Sequence, residues 1–277
     1  APWFGSNRSL ARHVGGLLQG CGWVGVPFAG GMSELLHITA RTIVVSDLHK
    51  HVMNLARVLA HPQLGPKLLR RLRRRPVHAG DLAYSQGRCL QLANIVFTTD
   101  DDLLEWAEHY FVVAWMGRNG TAGTNSEFRS GLSVRWDAGG GDSATRYHSA
   151  VKALRDWFAI MPRCTFIVLD VFQFLDNVTD LPECGLYLDP PFPDVGAAYT
   201  HKFTVEQHRE LARRLTALEH VRVVCRFYRH PLIEELYPAP HWHWLELEGG
   251  RTQTNGKPPE VLILNWNPLT QTAKEAA

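Results

Sequence analysis

Four short stretches of this 277-residue chain set carboxylates or glycines at the ends of apolar runs. The first is "VPFAGG", in which Pro27, Phe28 and Ala29 lead to Gly30 and Gly31. Paired glycines let backbone approach a ligand closely, and they also make ordinary tight turns. The second is Asp47, which closes "TIVVSD" and is followed by Leu48. A carboxylate there can accept both hydroxyls of a ribose, or cap the next helix. The third is Asp170, which closes "CTFIVLD" ahead of Val171. It can accept from the exocyclic amine of an adenine, or again cap a helix. The fourth, Asp189-Pro190-Pro191-Phe192 in "LYLDPPF", says most. A residue before proline is held out of the helical region, so Asp189 stays extended. The two prolines fix φ and remove two N–H donors. A carboxylate and a carbonyl then sit on a stiff frame beside an aromatic face. That set suits an amino group on a flat ring; a proline-stiffened turn uses the same residues.

Such residues need strands to hold them. Residues 1–60 read as strand, Gly-rich turn, helix ("MSELLHITA"), strand and helix, the rhythm of a parallel sheet. Residues 164–270 return to it, with strands at "CTFIVLD", "GLYLD", "VRVVCRF", "HWHWLELE" and "EVLILNWN". Thr204 and Gln207 mark a capping box at the head of a helix between them. The zone between, 61–160, has a different texture. It holds a basic run, helical text at "DDDLLEWAEHYFVVAWM", a long polar segment and a helix at "AVKALRDWFAIM". A loop as long as the polar segment is uncommon inside a compact domain unless it is functional or disordered. The expected architecture is therefore one α/β sheet domain, 1–60 and 161–277, flanked by helices. A mainly helical domain, 61–160, is inserted into it. In such sheets ligands bind outside the carboxyl ends of the strands, where the four stretches fall.

Bulk composition narrows the class. Hydrophobic content is 45% and formal charge only +2, but "KLLRRLRRR", Lys67 to Arg75, holds six cations and no acid. The five cysteines are scattered, odd in number and without a C-x-x-C pair, which disfavours a disulfide framework or a cysteine zinc site. No metal is expected. No apolar run approaches the roughly 20 residues that span a bilayer, and no leader pattern opens the chain, so a cytoplasmic protein is expected.

The motifs together resemble the Dam-like class of adenine-N6 DNA methyltransferases. "LYLDPPF" is similar to that family's D-P-P-Y motif, and "VPFAGGMSEL" to its E-P-F-x-G-G motif. "PWFGSNRSLARHV" is similar to its N-terminal cofactor segment. "VSDLHKHVMNLARVL" looks like its acidic ribose motif and "FIVLDVFQFL" like its third cofactor motif. The matches are collinear and cover both sheet zones. The resemblance implies a Rossmann-like methyltransferase sheet that binds S-adenosylmethionine. Trp3, Phe4, Gly5, Ser6 and Asn7 would touch the cofactor, with Pro27, Phe28, Ala29, Gly30 and Gly31 around its methionine part. Asp47 and Leu48 would hold the ribose, Asp170 and Val171 the cofactor's adenine. Asp189 to Phe192 would grip a flipped-out base. Three positions depart from the family: Asn7 stands for its Lys, Val26 for its Glu and Phe192 for its Tyr. The middle zone stands where the family inserts its target-recognition domain. There Arg118, Asn119, Asn125, Arg129 and Arg135, with Arg8 nearer the N-terminus, would contact double-stranded DNA. The resemblance is compatible with a cognate restriction nuclease as partner and equally with an orphan enzyme that has none. The same acceptor geometry would serve cytosine N4 or an RNA amine, and a relative that binds DNA without turnover is a third class.

Overall fold

The computed structural model describes residues 8–95, 99–118, 120–137, 142–194, 198–246 and 260–268. In chain order, α1 (Arg8–Leu17) leads to β1 (Trp23–Val26), a 3-10 turn at Ser33–Leu36, β2 (Thr42–Ser46) and α2 (Lys50–Ala60). Then come α3 (Leu64–Arg73), α4 (Ala79–Leu92), α5 (Asp100–Met116), a 3-10 turn at Glu127–Arg129 and α6 (Ser143–Trp157). After them follow β3 (Cys164–Ile167), α7 (Val171–Leu175), β4 (Cys184–Leu188), α8 (Val205–Thr216), β5 (Arg222–Tyr228), α9 (Pro231–Leu236), β6 (His243–Glu246) and β7 (Glu260–Leu264). The chain divides into two compact units. Among described residues, one takes in Gly30–Leu36 and Asp47–Val168, the other Ser9–Ala29, His37–Ser46 and the residues from Leu169 onward.

The fold is α/β, with a mixed, mostly parallel sheet in the order β3-β2-β1-β4-β5-β7-β6. β1 runs parallel to β2 and to β4, and β4 parallel to β5. β7 runs antiparallel to β5 and β6. Since β1, β2, β4 and β5 share one direction, their carboxyl ends share one edge. β4 lies near the middle, buried along its whole length, and its sequence CGLYL is accordingly a continuous apolar run. Thr204 caps α8 by accepting the Gln207 N–H on its hydroxyl oxygen, and its own N–H donates to Gln207 Oε1, which completes the expected capping box.

In the other unit, α5 is buried on nearly all sides, from Leu103 through Met116, and so reads as apolar without a strong stripe. α3 buries Leu64, Leu68, Leu69 and Leu72 and turns its cations outward. No helix among the described residues is long and apolar enough to cross a membrane.

Several sequence expectations are corrected. The helix at "MSELLHITA" is one 3-10 turn, because Met32 at φ 59° sets the chain in a left-handed turn first. The strand expected to reach Asp170 stops at Ile167, and Asp170 instead caps α7. The helix at "AVKALRDWFAIM" begins earlier, at Ser143 under an Asp142 cap, and so takes the end of the polar segment into α6. The strand at "HWHWLELE" omits His241 and Trp242. α4 was not foreseen: its buried stripe runs Leu82, Ser85, Cys89, Leu92, and a serine with two exposed glycines hides the helical period.

Candidate functional site

Asp189 directly follows the last residue of β4. Its Oδ2 accepts a hydrogen bond of 2.8 Å from Arg226 Nη1. Arg226 projects from β5, and its Nη2 lies 3.0 Å from Glu260 Oε1 at the head of β7. Three neighbouring strands thus supply a carboxylate, a guanidinium and a second carboxylate. The Arg226 side chain is only 2% exposed and the Asp189 side chain 23%, so this charge cluster is largely out of water. Burial pushes the Asp189 carboxyl above the ordinary range; Arg226 draws it back and Glu260 adds to the rise. Burial opposes the charge on Arg226, but Asp189, Tyr187 and Glu260 more than offset it and hold the guanidinium protonated. Asp189 Oδ1 accepts no hydrogen bond among the described residues, which leaves that oxygen for a further donor.

Phe192, expected as an aromatic face beside the Asp189 frame, is packed inward. Its ring is 8% exposed. The Arg226 guanidinium lies 5.5 Å over it, and Tyr228 meets it in a T-shaped contact at 4.6 Å. The ring is a packed platform beneath Arg226. A second aromatic cluster joins the turns on the same sheet edge. Phe203 stacks on Phe172 at 6.1 Å and 18°, and meets Phe28 edge-on at 5.6 Å. Behind it His208 is 1% exposed, and burial pushes its pKa down to about 4.

Hydrogen bonds draw the other strand ends together. Ala29 N–H donates to Ser46 O at 3.0 Å. Ser46 Oγ donates to Leu169 O at 2.8 Å and accepts from Leu169 N–H at 3.0 Å. Each of these residues precedes a predicted site residue: Gly30, Asp47 and Asp170. Gly30, at φ 44°, takes a backbone conformation that glycine alone adopts freely, and its N–H donates to Asp47 Oδ2 at 2.8 Å. Asp47 Oδ1 accepts from His49 N–H, also at 2.8 Å. Asp47 is therefore a clasp between two turns and not the helix cap; His49 caps α2. Each carboxylate oxygen retains a lone pair for a second donor. Leu48 beside it is 41% exposed and offers an apolar surface. Asp170 Oδ1 accepts from the N–H groups of Phe172 and Gln173, so the capping role read from the sequence is real. Its Oδ2 accepts nothing among the described residues. Val171 opens α7 and is buried, with its N–H among the groups that a helix leaves without an internal partner. Pro27 and Ala29 are buried, while Phe28 and Gly31 are partly exposed.

Behind Asp47 lies a polar cluster that sequence reading missed. His49 Nε2 meets Glu127 Oε2 at 2.8 Å, with side chains 5% and 1% exposed. Since His49 Nδ1 accepts from Val52 N–H, the ring proton sits on Nε2 and donates to Glu127. His51 accepts from Trp106 Nε1 at 2.7 Å, and burial pushes its pKa down to about 3, with His49 and Lys50 adding to the shift. A cavity of about 280 Å3 lies among α2, α5 and α6, walled by Leu55, Leu59, Phe111 and Trp157. Its cation, Arg146, donates to the carbonyls of Trp115 and Gly117, at the end of α5.

The residues expected at DNA are scattered along the polar segment. Arg118, Asn125, Arg129 and Arg135 are all exposed. Arg129 Nη2 donates to Asn125 O at 2.8 Å, which commits part of its guanidinium to its own turn. Beside Arg135, Trp136 is 92% exposed. Trp3 to Asn7 and Asn119 lie outside the described residues, as does the side chain of Arg8. Arg226 had one faint sequence signal, a cation set among apolar residues in "VVCRF". Glu127 and Phe203 had none, since their partners are 78 and 31 residues away. No protein-family model matches the chain, and no curated protein matches its sequence.

Proposed function

We propose that this chain methylates the N6 amine of adenine in DNA with S-adenosylmethionine as donor. The observation that carries the reading is Asp189-Pro190-Pro191 at the carboxyl end of a buried parallel strand, with one oxygen of Asp189 fixed by Arg226 and the other open. In this reading the sheet is a Rossmann-like S-adenosylmethionine-binding core, residues 1–60 and 161–277. Residues 61–160 are the inserted target-recognition domain.

The residues present fit the cofactor's chemistry. Asp47 keeps acceptor capacity for ribose hydroxyls, and Leu48 supplies an apolar neighbour. Asp170 Oδ2 is open to an adenine amine, and Phe28 and Phe172 offer aromatic surface. When bound, S-adenosylmethionine supplies an electrophilic methyl group on a sulfonium. The rest is the work of this chain. An adenine amine is a weak nucleophile because its lone pair is delocalised into the ring. Asp189 Oδ1 and the Pro190 carbonyl accept its two N–H groups and draw the nitrogen towards a pyramidal form, which localises the lone pair. Arg226 holds the acceptor in place before the base arrives, so little reorganisation remains. A paired base cannot reach these groups, and the adenine enters flipped out of the duplex. Phe192 supports this from beneath, through Arg226.

One observation favours a second reading, a relative that binds DNA without turnover. Arg226 already occupies Asp189 Oδ2, and a carboxylate so committed could serve as structure alone. One experiment separates the two. Duplex DNA is incubated with the protein and methyl-labelled cofactor, then digested to nucleosides. The expected product is N6-methyladenine, lost by at least a hundredfold in Asp189→Ala while calorimetry still detects cofactor binding. Cofactor binding with no methylated nucleoside would support the second reading. N4-methylcytosine in place of N6-methyladenine would move the substrate to cytosine. Methyl transfer that survived Asp189→Ala would sink the mechanism.

A further inference from the structure

The basic run divides, in the folded chain, into cations that are committed and cations that are not. Arg75 Nε donates to Glu108 Oε1 at 2.6 Å, and Arg71 lies 3.5 Å from Glu108 and 3.7 Å from Asp101. Arg71, on α3, and Arg75, just past its end, tie this part of the chain to α5. Arg73 is exposed and in no ion pair among the described residues but stands off to one side of the helix. Lys67, Arg70 and Arg74 likewise form no ion pair there, and all three are exposed. With Arg71 they fall at i, i+3, i+4 and i+7, one stripe along the helix, opposite the buried Leu68, Leu69 and Leu72. Together with Asp101 these four line a shallow groove of about 270 Å3. Four cations face one carboxylate there. The helix dipole accounts for cations in the last turn of α3, but not for Lys67, which stands in its first turn.

We infer that this stripe is a track for the phosphates of one strand of duplex DNA, a surface additional to the polar segment 117–142. The inference rests on the DNA reading above. Side chains at i, i+3 and i+4 are about 5–6 Å apart, a spacing comparable to that of successive phosphates on one strand. The committed pairs keep the helix fixed, so the three free cations are presented without the ordering cost of a mobile arm. Arg70 and Arg74 can each fork onto two phosphate oxygens, and Lys67 adds a point charge. Asp101, whose side chain is 81% exposed, limits the attraction and lets the duplex leave.

The test is the salt dependence of duplex affinity. Each phosphate neutralised contributes about 0.9 to the slope of log affinity against log salt, so removing three contacts flattens it by about 2.7. The triple variant Lys67→Ala/Arg70→Ala/Arg74→Ala should show that flattening, with cofactor binding by calorimetry unchanged. Asp101→Asn should act in the opposite sense and tighten duplex binding several-fold. That second variant guards against misfolding, because a damaged fold does not gain affinity. Wild-type binding whose slope is the same in the triple variant would overturn the α3 track and leave the methyltransferase reading standing. A wild-type protein that binds no duplex at low salt would overturn both. Equal slopes for duplex DNA and heparin, with no preference for DNA at matched charge, would make the stripe a general polyanion surface and overturn the assignment to a duplex.

Discussion

Arg226 sets the charge of Asp189 as well as its position. The carboxylate is the stronger acceptor for an amine N–H when ionised, and burial already lifts its pKa above the ordinary range. Under the proposed function, methyl transfer should therefore fall as pH drops, with an acid limb above the ordinary carboxylate value of about 4. Arg226 counteracts the lift, so Arg226→Met should move that limb to higher pH, read from initial rates across about pH 5 to 9. A lower rate with an unmoved limb would show that Arg226 acts through packing alone. The sequence made Asp189 visible, because prolines constrain their neighbours in any fold. It gave Arg226 one faint mark, since a cation in an apolar strand has meaning only when the residue on the next strand is known. Phe192 was legible as an aromatic after the prolines, but its inward packing was not. That depends on Tyr228 and Arg226, which lie more than 30 residues further along.

At the scale of elements, the N-terminus of α2 is where several constraints meet. His49 caps the helix with Nδ1, donates from Nε2 to Glu127, and gives its backbone N–H to Asp47. Glu127 comes from a 3-10 turn inside the polar segment, so the segment is anchored at that turn. Glu127→Ala leaves a buried imidazole N–H without an acceptor, and a hydrogen bond to a charged group is worth about 1.5–3 kcal/mol. The variant should unfold at lower denaturant by that amount, and Glu127→Gln should recover part of the loss because an amide oxygen still accepts. Equal losses in the two would show that the pair contributes little. The helices α2 and α8 were legible from apolar spacing and capping residues, and α5 from its long, nearly continuous apolar text, since those signals are local. α4 was not, because its buried face includes Ser85, whose hydroxyl bonds His109 Nδ1 at 3.0 Å; a polar residue satisfied by a distant partner breaks the pattern without breaking the helix.

Across the whole molecule, buried histidines tie stability to pH. His51 and His208 are held neutral, with pKa values of about 3 and about 4, against about 6.5 in an unfolded chain. Between those values the unfolded state binds more protons than the folded one, so stability rises with pH and is lost as pH falls from about 6.5 towards 4. Each such histidine contributes at most about 1.4 kcal/mol per pH unit. Denaturant midpoints should fall over that window in the wild type and fall less steeply in His208→Phe. The same slope in both would remove His208 from the account. The sequence by itself determined the α/β rhythm, the Gly-rich turn and the carboxylates at strand ends, because strand and helix periods and proline geometry act between neighbours in the chain. Only the tertiary structure decided which carboxylate oxygens are spoken for, which cations remain free and which aromatic is buried. Those outcomes rest on partners brought together by strand order and helix packing, and a carboxylate or guanidinium has the same letter in the sequence whether or not it has been paired.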